Sequence, residues 1–204
     1  MNNYKVVEVP KSTVYGLLKE NHYLKRLPPI SFSFGLYKDK TLKGVCTFGS
    51  PPSKDLCTGL CGKEYKDEVL ELNRLFLTNN KKNLASFFVS KCLKILPSPK
   101  IIVSYADTSA NHHGYIYQAT NFIYTGLSAK RRDTIGAGHS RGVKWDGENT
   151  IERPRKHRYV YFLGSKKQKK DRKKDLLYPV CNYPKGDNKN YIVGNVAPTQ
   201  GLLL

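Results

Sequence analysis

The 204-residue sequence predicts a mixed α/β sheet with helices on both faces, followed by a basic C-terminal extension. The segment 69–77, in which apolar residues predominate, is predicted to be a core strand. In the segment 83–96 apolar residues recur at helical spacing, which indicates an amphipathic helix. The short β-branched run at 100–105 is of the fully buried kind. Strand and helix patterns therefore alternate, as they do in sheets covered by helices.

The N-terminal residues add three elements to this sheet. Residues 4–9 alternate like an edge strand. Residues 11–20 predict a helix with Ser12 or Thr13 as its N-cap. Two strands separated by an Asp-Lys turn predict a hairpin over 30–49.

The middle of the chain completes the core. Residues 50–67 are rich in Gly, Pro and Ser, which predicts an irregular excursion. A short helix is predicted over 111–119, and further strands at 122–125 and 159–163.

The composition changes in the last quarter of the chain. Between Arg153 and Asp175 lie eleven Lys or Arg and two Asp, which is too much charge to bury. We therefore divide the chain into a folded domain at 1–164 and an extension at 165–204 that wraps the domain or lacks regular structure. Its basic cluster predicts a solvated arm or a phosphate-binding patch.

The overall charge narrows the classes of partner. Thirty-five Lys and Arg face sixteen Asp and Glu, which leaves a net charge of +19. Such a field attracts polyanions, most commonly nucleic acid, with an anionic membrane, an acidic protein or plain solvation as alternatives. No run reaches the roughly 18 apolar residues of a membrane span, and the N-terminus has no apolar signal core. We therefore expect a cytoplasmic protein without a membrane partner.

Polar residues at the end of strand 100–105 are the main chemical signal. A carboxylate at a sheet edge is costly unless it has a partner or a function. Asp107 is interpreted either as a helix N-cap or, preferably, as a general base or metal ligand. Arg74 lies inside a strand, and Glu71 is expected to point to the opposite face. The expected partner of Arg74 is a substrate phosphate, a carboxylate or Asp107, unless it faces solvent.

Basic and aromatic residues of the C-terminal half predict nucleic-acid contacts. Aromatic side chains can form walls on which an unpaired base stacks. The candidates for such walls, with core packing as the alternative for each, are Tyr115, Phe122, Tyr124 and Trp145. The predicted DNA-contacting residues are Lys130, Arg131, Arg132, Arg141, Lys144, Trp145, Lys166 and Lys167.

The order of elements resembles the GNAT acyltransferase fold, in which a turn before a helix holds the pyrophosphate of coenzyme A. The corresponding turn at 78–83 contains no glycine. A helix N-terminus beside two lysines still suits a phosphate. The acyl or carbamoyl donor is left open, with acetyl-coenzyme A as one candidate. The predicted donor-binding residues are Asn80, Lys81, Lys82, Asn83 and Ser86.

Several separate blocks resemble the Mom family of phage proteins, which modify the N6 position of adenine in DNA. The resemblance spans about residues 20–185 and implies a GNAT-like scaffold, double-stranded DNA as partner and the host bacterial cytoplasm as location. The matching blocks are Glu71-Leu72-Asn73-Arg74-Leu75, Asn83-x-x-Ser86, Val103-Ser104-Tyr105-Ala106-Asp107, Gly114-x-x-Tyr117-x-Ala119, Tyr124-Thr125-Gly126, His22-Tyr23, Tyr178-Pro179 and Tyr183-Pro184-Lys185.

The resemblance also implies roles for single residues. Tyr117 is expected to protonate the leaving group, beside Asp107, Arg74 and Tyr105 in the catalytic set. His22, Tyr23, Asp107 and Tyr117 offer nitrogen and oxygen ligands for iron or another transition metal. The oligomeric state is left open between monomer and homodimer.

The resulting hypothesis is a DNA-modifying transferase. It would add a methylcarbamoyl-like group to adenine N6 in phage DNA and so protect that DNA from host restriction enzymes. Two hypotheses from other classes remain open. One is a GNAT N-acetyltransferase that acts on an amine of a protein, a tRNA or a small molecule. The other is a basic DNA-binding anti-restriction protein without enzymatic activity.

Overall fold

The computed structural model describes residues 3–21, 27–79, 81–134 and 150–186. No helix within these ranges is long and apolar enough to cross a bilayer. The elements, in chain order, are β1 (Tyr4–Glu8), α1 (Lys11–Asn21), β2 (Phe32–Lys38), β3 (Thr41–Gly49), α2 (Lys54–Cys61), β4 (Val69–Leu77), α3 (Leu84–Ile95), β5 (Lys100–Asp107), α4 (Tyr115–Ala119), β6 (Ile123–Leu127), β7 (Arg131–Thr134), β8 (Thr150–Arg153), β9 (Lys156–Leu163) and α5 (Lys166–Lys174).

Seven of the described strands form one mixed sheet in the order β1-β2-β3-β4-β5-β9-β6. The first four strands are antiparallel neighbours, β4 and β5 pair in parallel, and β9 lies antiparallel between β5 and β6. Helix α3 joins β4 to β5, because a parallel pair needs a crossover between its strands. Strands β7 and β8 form a separate antiparallel ribbon. The predicted mixed α/β sheet is confirmed.

Helices cover both faces of the sheet, as predicted. Helices α3 and α4 pack on one face, here called the α3 face, where Phe48 and Phe88 are fully buried. On the opposite face, here called the α2 face, α1 inserts Leu18 and α2 inserts Leu60. Each helix thus places its apolar stripe against the sheet and leaves its polar side outward.

The contact between the two central strands is short. Strands β4 and β5 pair over three residues only, the last of which are Glu71 and Val103. Both strands then continue without pairing to each other along their described length. At the start of this opening the Ser104 hydroxyl donates a 2.9 Å hydrogen bond to the Leu72 carbonyl. We call this opening in the middle of the sheet the seam.

A β-bulge interrupts β4 beside the seam. Thr47 of β3 pairs with Arg74 and the next residue, Phe48, pairs with Leu72, so Asn73 is the extra residue. The Thr47 hydroxyl donates to the Asn73 side-chain oxygen at 2.6 Å, and the Asn73 amide donates to the Pro29 carbonyl at 2.8 Å. An extra residue shifts the alternation of side chains by one. Arg74 therefore lies on the α2 face.

Residues 50–67 were predicted to be irregular, and this was wrong. Helix α2 begins after Ser53, whose hydroxyl oxygen accepts from the Leu56 backbone amide. A 3₁₀ helix, Lys63–Glu68, follows it directly. Pro51 and Pro52 precede the Ser53 cap and Gly62 follows α2, where such residues are tolerated, whereas Gly59 lies inside the last turns of α2.

Two helix ends also differ from the sequence expectation. Helix α1 begins at Lys11, so Ser12 and Thr13 lie inside the helix and neither is its N-cap. The helix predicted from 111 begins only at Tyr115, because Asn111 and Gly114 adopt positive φ angles of 52° and 78°. A left-handed backbone interrupts an α-helix.

The described part of the basic extension is ordered on the domain. Residues 166–174 form α5, and the chain then crosses the α2 face, where Tyr178 covers Arg158. It turns around the free edge of β6, where the Cys181 amide donates to the Tyr124 carbonyl at 2.9 Å. The described part then reaches α4, where the Pro184 carbonyl accepts a hydrogen bond from the Gln118 side chain.

Candidate active site at the seam

A partly buried carboxylate, Glu71, stands where the seam begins. It is the last residue of β4 that pairs with β5. Burial raises the pKa of Glu71 to about 7, although the positive charges of Arg74 and Lys156 act to lower it. A carboxylate with such a pKa exchanges protons near neutral pH, which suits a general base. Glu71 was not among the catalytic residues predicted from the sequence.

Arg74 shares the α2 face with Glu71, so the expectation that they point to opposite faces was wrong. The bulge at Asn73 adds one residue between them and restores the same side-chain direction. The Arg74 guanidinium donates a 2.6 Å hydrogen bond to the Asn73 carbonyl. A polar Asn within an apolar strand was the sequence signal for the bulge, because such residues interrupt regular strands.

Tyr105 of β5 lies on the α2 face, close enough to Glu71 for the charge of that carboxylate to affect its pKa. Burial and the nearby Glu71 charge raise the pKa of Tyr105 to about 12, while Arg158 and Arg131 act to lower it. Its hydroxyl is therefore protonated at neutral pH and able to donate a hydrogen bond. The sequence predicted Tyr105 for this site on the basis of its position after a buried strand.

Arg158, which the sequence analysis did not single out, pairs with Tyr105 in the sheet. Its side chain is buried, and it donates to the Thr125 hydroxyl at 2.9 Å and to the Thr125 carbonyl at 3.0 Å. Tyr178 covers the guanidinium, with 3.4 Å between the guanidinium carbon and the ring centre. A fixed positive charge thus lies beside the Tyr105 hydroxyl, where developing negative charge would be stabilised.

Asp107 is engaged by three donors. One carboxylate oxygen accepts from the backbone amide of Ser109 at 3.0 Å and from its hydroxyl at 2.7 Å. The other oxygen lies 2.9 Å from the Lys156 ammonium. Burial alone would raise the pKa of Asp107, but the hydrogen bonds from Ser109 and Lys156 outweigh it, and the pKa lies below the usual range.

Asp107 is an N-cap, but of the 3₁₀ turn Thr108–Ala110 and not of the helix that was predicted to begin at Asn111. A carboxylate with a lowered pKa is a weak proton acceptor, so the preference for Asp107 as general base is replaced by Glu71. The suggested pairing of Arg74 with Asp107 is also replaced, since the cation that Asp107 binds is Lys156.

Tyr117 packs on the α3 face. Its ring centre lies 5.4 Å from that of Phe122 and 5.2 Å from that of Tyr159. Tyr105 and Asp107 occupy alternate positions of β5 on the α2 face. The seam thus separates Tyr117 from the other predicted catalytic residues, and a bound substrate would have to bridge the two faces.

Two of the proposed base-stacking aromatics are core residues. Phe122 is fully buried, and Tyr124 is 7% exposed with its hydroxyl 2.8 Å from Nδ1 of His157. Burial of this kind leaves no surface on which a base could stack, so these two predictions were wrong. Tyr115 is held by the C-terminal segment, where its hydroxyl contacts the Gly186 carbonyl. Trp145 lies outside the described residues.

The predicted donor-binding residues lie at the start of α3. Asn83 has a positive φ of 63° and precedes the helix, and the Ser86 hydroxyl donates to its carbonyl at 3.1 Å. Both line an open depression of about 540 Å³ that Phe87, Ser90 and Ala119 complete. Lys81 and Lys82 are exposed beside it, and Asn80 lies outside the described residues.

The described residues of the proposed metal site do not fit a metal ion. Asp107 is neutralised by the Lys156 ammonium, which would repel a cation, and Tyr117 lies on the other face of the sheet. His22 and Tyr23 lie outside the described residues. Within the part of the chain that the structure describes, no three His, Cys, Asp or Glu side chains are grouped as metal ligands.

The predicted DNA-contacting residues fall in two places. Lys130, Arg131 and Arg132 are exposed at the start of the β7 ribbon, and Arg131 is close enough to Tyr105 to lower its pKa. Lys166 and Lys167 are exposed on α5. Arg141 and Lys144 lie outside the described residues, as Trp145 does.

Comparison with solved structures finds similarity to acetyltransferases. The chain is similar to the aminoglycoside N(6')-acetyltransferase of Legionella pneumophila, with a TM-score of 0.48 and 14% identity, covering 84% of this chain and 95% of that one. It is also similar to NAA60 of Arabidopsis thaliana in complex with acetyl-CoA, with a TM-score of 0.48 and 12% identity, covering 78% of this chain and 99% of that one.

Sequence comparison connects the chain with one family. It is 25% identical over 191 residues to the methylcarbamoylase Mom of Escherichia phage Mu, covering 83% of this chain and 78% of that protein. The Mom protein family matches residues 3–185, which include every described element of the sheet and the seam. The chain belongs to the Mom protein family.

Proposed function

We propose that this chain is a transferase that places a methylcarbamoyl-like group on the N6 amino group of adenine in DNA. Its relative in phage Mu is a methylcarbamoylase, and the net charge of +19 suits a DNA substrate. In this proposal the product protects phage DNA from restriction in the host cytoplasm. The observation that carries the proposal is the position of Glu71, a partly buried carboxylate at the opening between β4 and β5, where burial raises its pKa to about 7.

The seam supports a reaction between substrates on opposite faces. The acceptor amine would approach from the α2 face, where Glu71, Tyr105 and Arg158 lie. The donor would bind on the α3 face, where Asn83 and Ser86 line the depression at the start of α3. The two would meet where β4 and β5 are unpaired, since backbone hydrogen bonds close the sheet elsewhere.

The transfer forms one bond, breaks one bond and moves two protons. The N6 nitrogen attacks the donor carbonyl carbon, a nitrogen–carbon bond forms, and the bond between that carbon and the leaving group breaks. Glu71 accepts the proton that N6 loses, and Tyr117 supplies one to the leaving group. The Tyr105 hydroxyl and the Arg158 charge stabilise the negative charge that develops on the carbonyl oxygen. The adenine has to leave the base stack to reach Glu71.

Expression in bacteria followed by mass spectrometry of the DNA nucleosides tests this proposal. The wild type is expected to convert part of the deoxyadenosine to a species heavier by one methylcarbamoyl group. Glu71→Gln is expected to abolish that species, whereas the exposed glutamate variant Glu64→Gln is expected to retain it. Only unmodified deoxyadenosine, from soluble wild-type protein, would overturn the proposal. An acetylated amine elsewhere would favour the N-acetyltransferase alternative.

A further inference from the structure

Helix α5 presents a continuous face of lysines. Six of its nine residues are lysine, all of them exposed, and Asp171 is its one acidic residue. At 100° per residue the lysines fall within one arc on the side opposite to Arg172. The lysines of this face are Lys166, Lys167, Lys169, Lys170, Lys173 and Lys174.

The inner side of α5 is anchored to the domain. Arg172 is 5% exposed and makes a two-pronged pair with Glu68, with nitrogen–oxygen distances of 2.6 and 2.5 Å. Its guanidinium also lies over the Tyr65 ring, whose hydroxyl donates to Asp175 at 2.8 Å. At the other end Ser165 and Gln168 form a reciprocal capping box. The orientation of the lysine face is therefore set by a buried contact.

Asp171, the one acidic residue within α5, compensates for only a small part of this charge, because the helix carries six lysines. Lysines three and four residues apart repel each other and destabilise a helix. The anchor is ionic and α5 contains no apolar residue, so burial of apolar area does not explain the charge either. A polyanion would remove the repulsion and gain from counterion release.

The dimensions of the face suit a nucleic-acid backbone. Nine residues of α-helix are about 13 Å long. A B-DNA duplex carries about eight phosphates over that length, counting both strands. Helix α5 begins just after Leu163, the last residue of β9. Lys156, at the other end of β9, lies beside the seam, and the seven residues between Lys156 and Leu163 span about 23 Å. Helix α5 would therefore contact the duplex about 23 Å away from the adenine that reacts at the seam.

We infer that the lysine face of α5 is a docking surface for the phosphate backbone of duplex DNA. This inference rests on the proposed function in taking DNA as the partner. The surface binds without reading sequence, because lysine contacts to phosphates carry no base information. It holds the duplex while the adenine enters the seam.

The test compares two triple variants of the full chain that remove the same charge. Lys166→Gln/Lys170→Gln/Lys173→Gln alters the middle of the face. Lys5→Gln/Lys38→Gln/Lys40→Gln alters exposed lysines on β1 and on the β2–β3 hairpin, at the opposite edge of the sheet. Lys169 is left unchanged because it also lies over the Tyr161 ring. Binding to a fluorescent 30-base-pair duplex of arbitrary sequence (about three helical turns) is measured by anisotropy at several salt concentrations.

The α5 variant is expected to bind at least tenfold more weakly at low salt, with a salt dependence reduced by about two to three ion equivalents. The hairpin variant is expected to lose less than threefold. Replacing the same three α5 lysines by arginine is expected to restore the wild-type affinity, because the charge is retained. Thermal unfolding of each variant shows whether the fold is intact.

Equal losses in the two Gln variants would overturn the inference, as would an unchanged salt dependence in the α5 variant. The inference would also be overturned if the α5 Gln variant bound vesicles of anionic phospholipid more weakly than the wild type but bound DNA equally well. That result would favour a membrane surface as the partner. Nucleoside mass spectrometry is independent of this test. If the wild type modified no adenine but the α5 variant lost DNA binding, the proposed reaction would be contradicted and the docking surface would be supported.

Discussion

Glu71 and Arg74 lie on the same face of β4, because the bulge at Asn73 adds one residue between them. In a regular strand residues three apart point to opposite faces. The bulge therefore brings a positive charge near a desolvated carboxylate and keeps the pKa of Glu71 at about 7, below what burial alone would produce. The position of one extra residue thus sets the acid–base character of the seam.

The proposed base predicts a pH profile. Modification by the wild type is expected to be slow below pH 6, to rise through about pH 7 as Glu71 loses its proton, and then to level off. Glu71→Gln is expected to lower the rate by at least about 100-fold and to remove this rise. Single-turnover rates on a DNA duplex, measured from pH 5.5 to 8.5, check this. A rise that persists in Glu71→Gln would assign the titration to another group.

The same carboxylate predicts a dependence of stability on pH. Its folded pKa is raised from 4.5 to about 7, so its contribution to the free energy of unfolding is fully present below pH 4.5 and is lost as the pH rises through 7. Glu71→Gln is expected to remove this loss and so be more stable than the wild type at pH 8. Urea unfolding at pH 5 and pH 8 provides the measurement. Equal wild-type and variant stabilities at pH 8 would contradict the desolvation of Glu71.

Asp107 is predicted to contribute more to stability than to proton transfer. Asp107→Ala loses both the cap and the pair with Lys156 and is expected to lower the free energy of unfolding by about 2 kcal/mol at pH 7. Asp107→Asn keeps a capping side chain and is expected to lose about 1 kcal/mol. Because the folded pKa of Asp107 is lowered, the difference between wild type and Asp107→Asn should shrink as the pH falls through that pKa. Complete loss of modification in a fully stable Asp107→Asn would instead assign it a catalytic role.

Tyr117→Phe tests the proposed proton donor. The substitution keeps the ring that packs on Phe122 and Tyr159 and removes only the hydroxyl. We expect modification to fall by about 100-fold or more while the unfolding free energy changes by less than about 1 kcal/mol. Tyr15→Phe, on the exposed tyrosine of α1, is the matched control and should leave the rate unchanged. Unaltered modification by Tyr117→Phe would exclude its hydroxyl as the proton donor.

Gly114 is predicted to be a position that only glycine fits. Its φ is 78°, and a β-carbon there would approach the buried Tyr159 ring to 2.3 Å. Gly114→Ala is expected to destabilise the chain by about 2–4 kcal/mol, because a strained backbone and an overpacked core act together. Gly16→Ala, where a β-carbon meets no atom within 4 Å, is the control and should not destabilise. Thermal denaturation of both variants distinguishes the two sites.

Most of the sheet was predictable from local patterns. Apolar periodicity identified β4 to its first and last residue and α3 to within one residue at each end, because each element has to bury one continuous face. Helix α2 was missed because it is short, contains Gly59 and is flanked by Pro52 and Gly62, a composition that by itself does not distinguish a capped helix from a loop. The motif beginning at Glu71 was visible in the sequence as a resemblance, but without a role for Glu71 itself.

The site depended on contacts between distant parts of the chain. The pKa of Glu71 depends on its burial and on the charge of Lys156, which is 85 residues away along the sequence. The same lysine forms an ion pair with Asp107. The seam arises where β4 and β5 cease to pair, a feature of strand register that neither strand shows alone. Side-chain patterns report which face of an element is buried. The strand register and the bulge decide which charged side chains lie close together, and both are properties of the folded sheet.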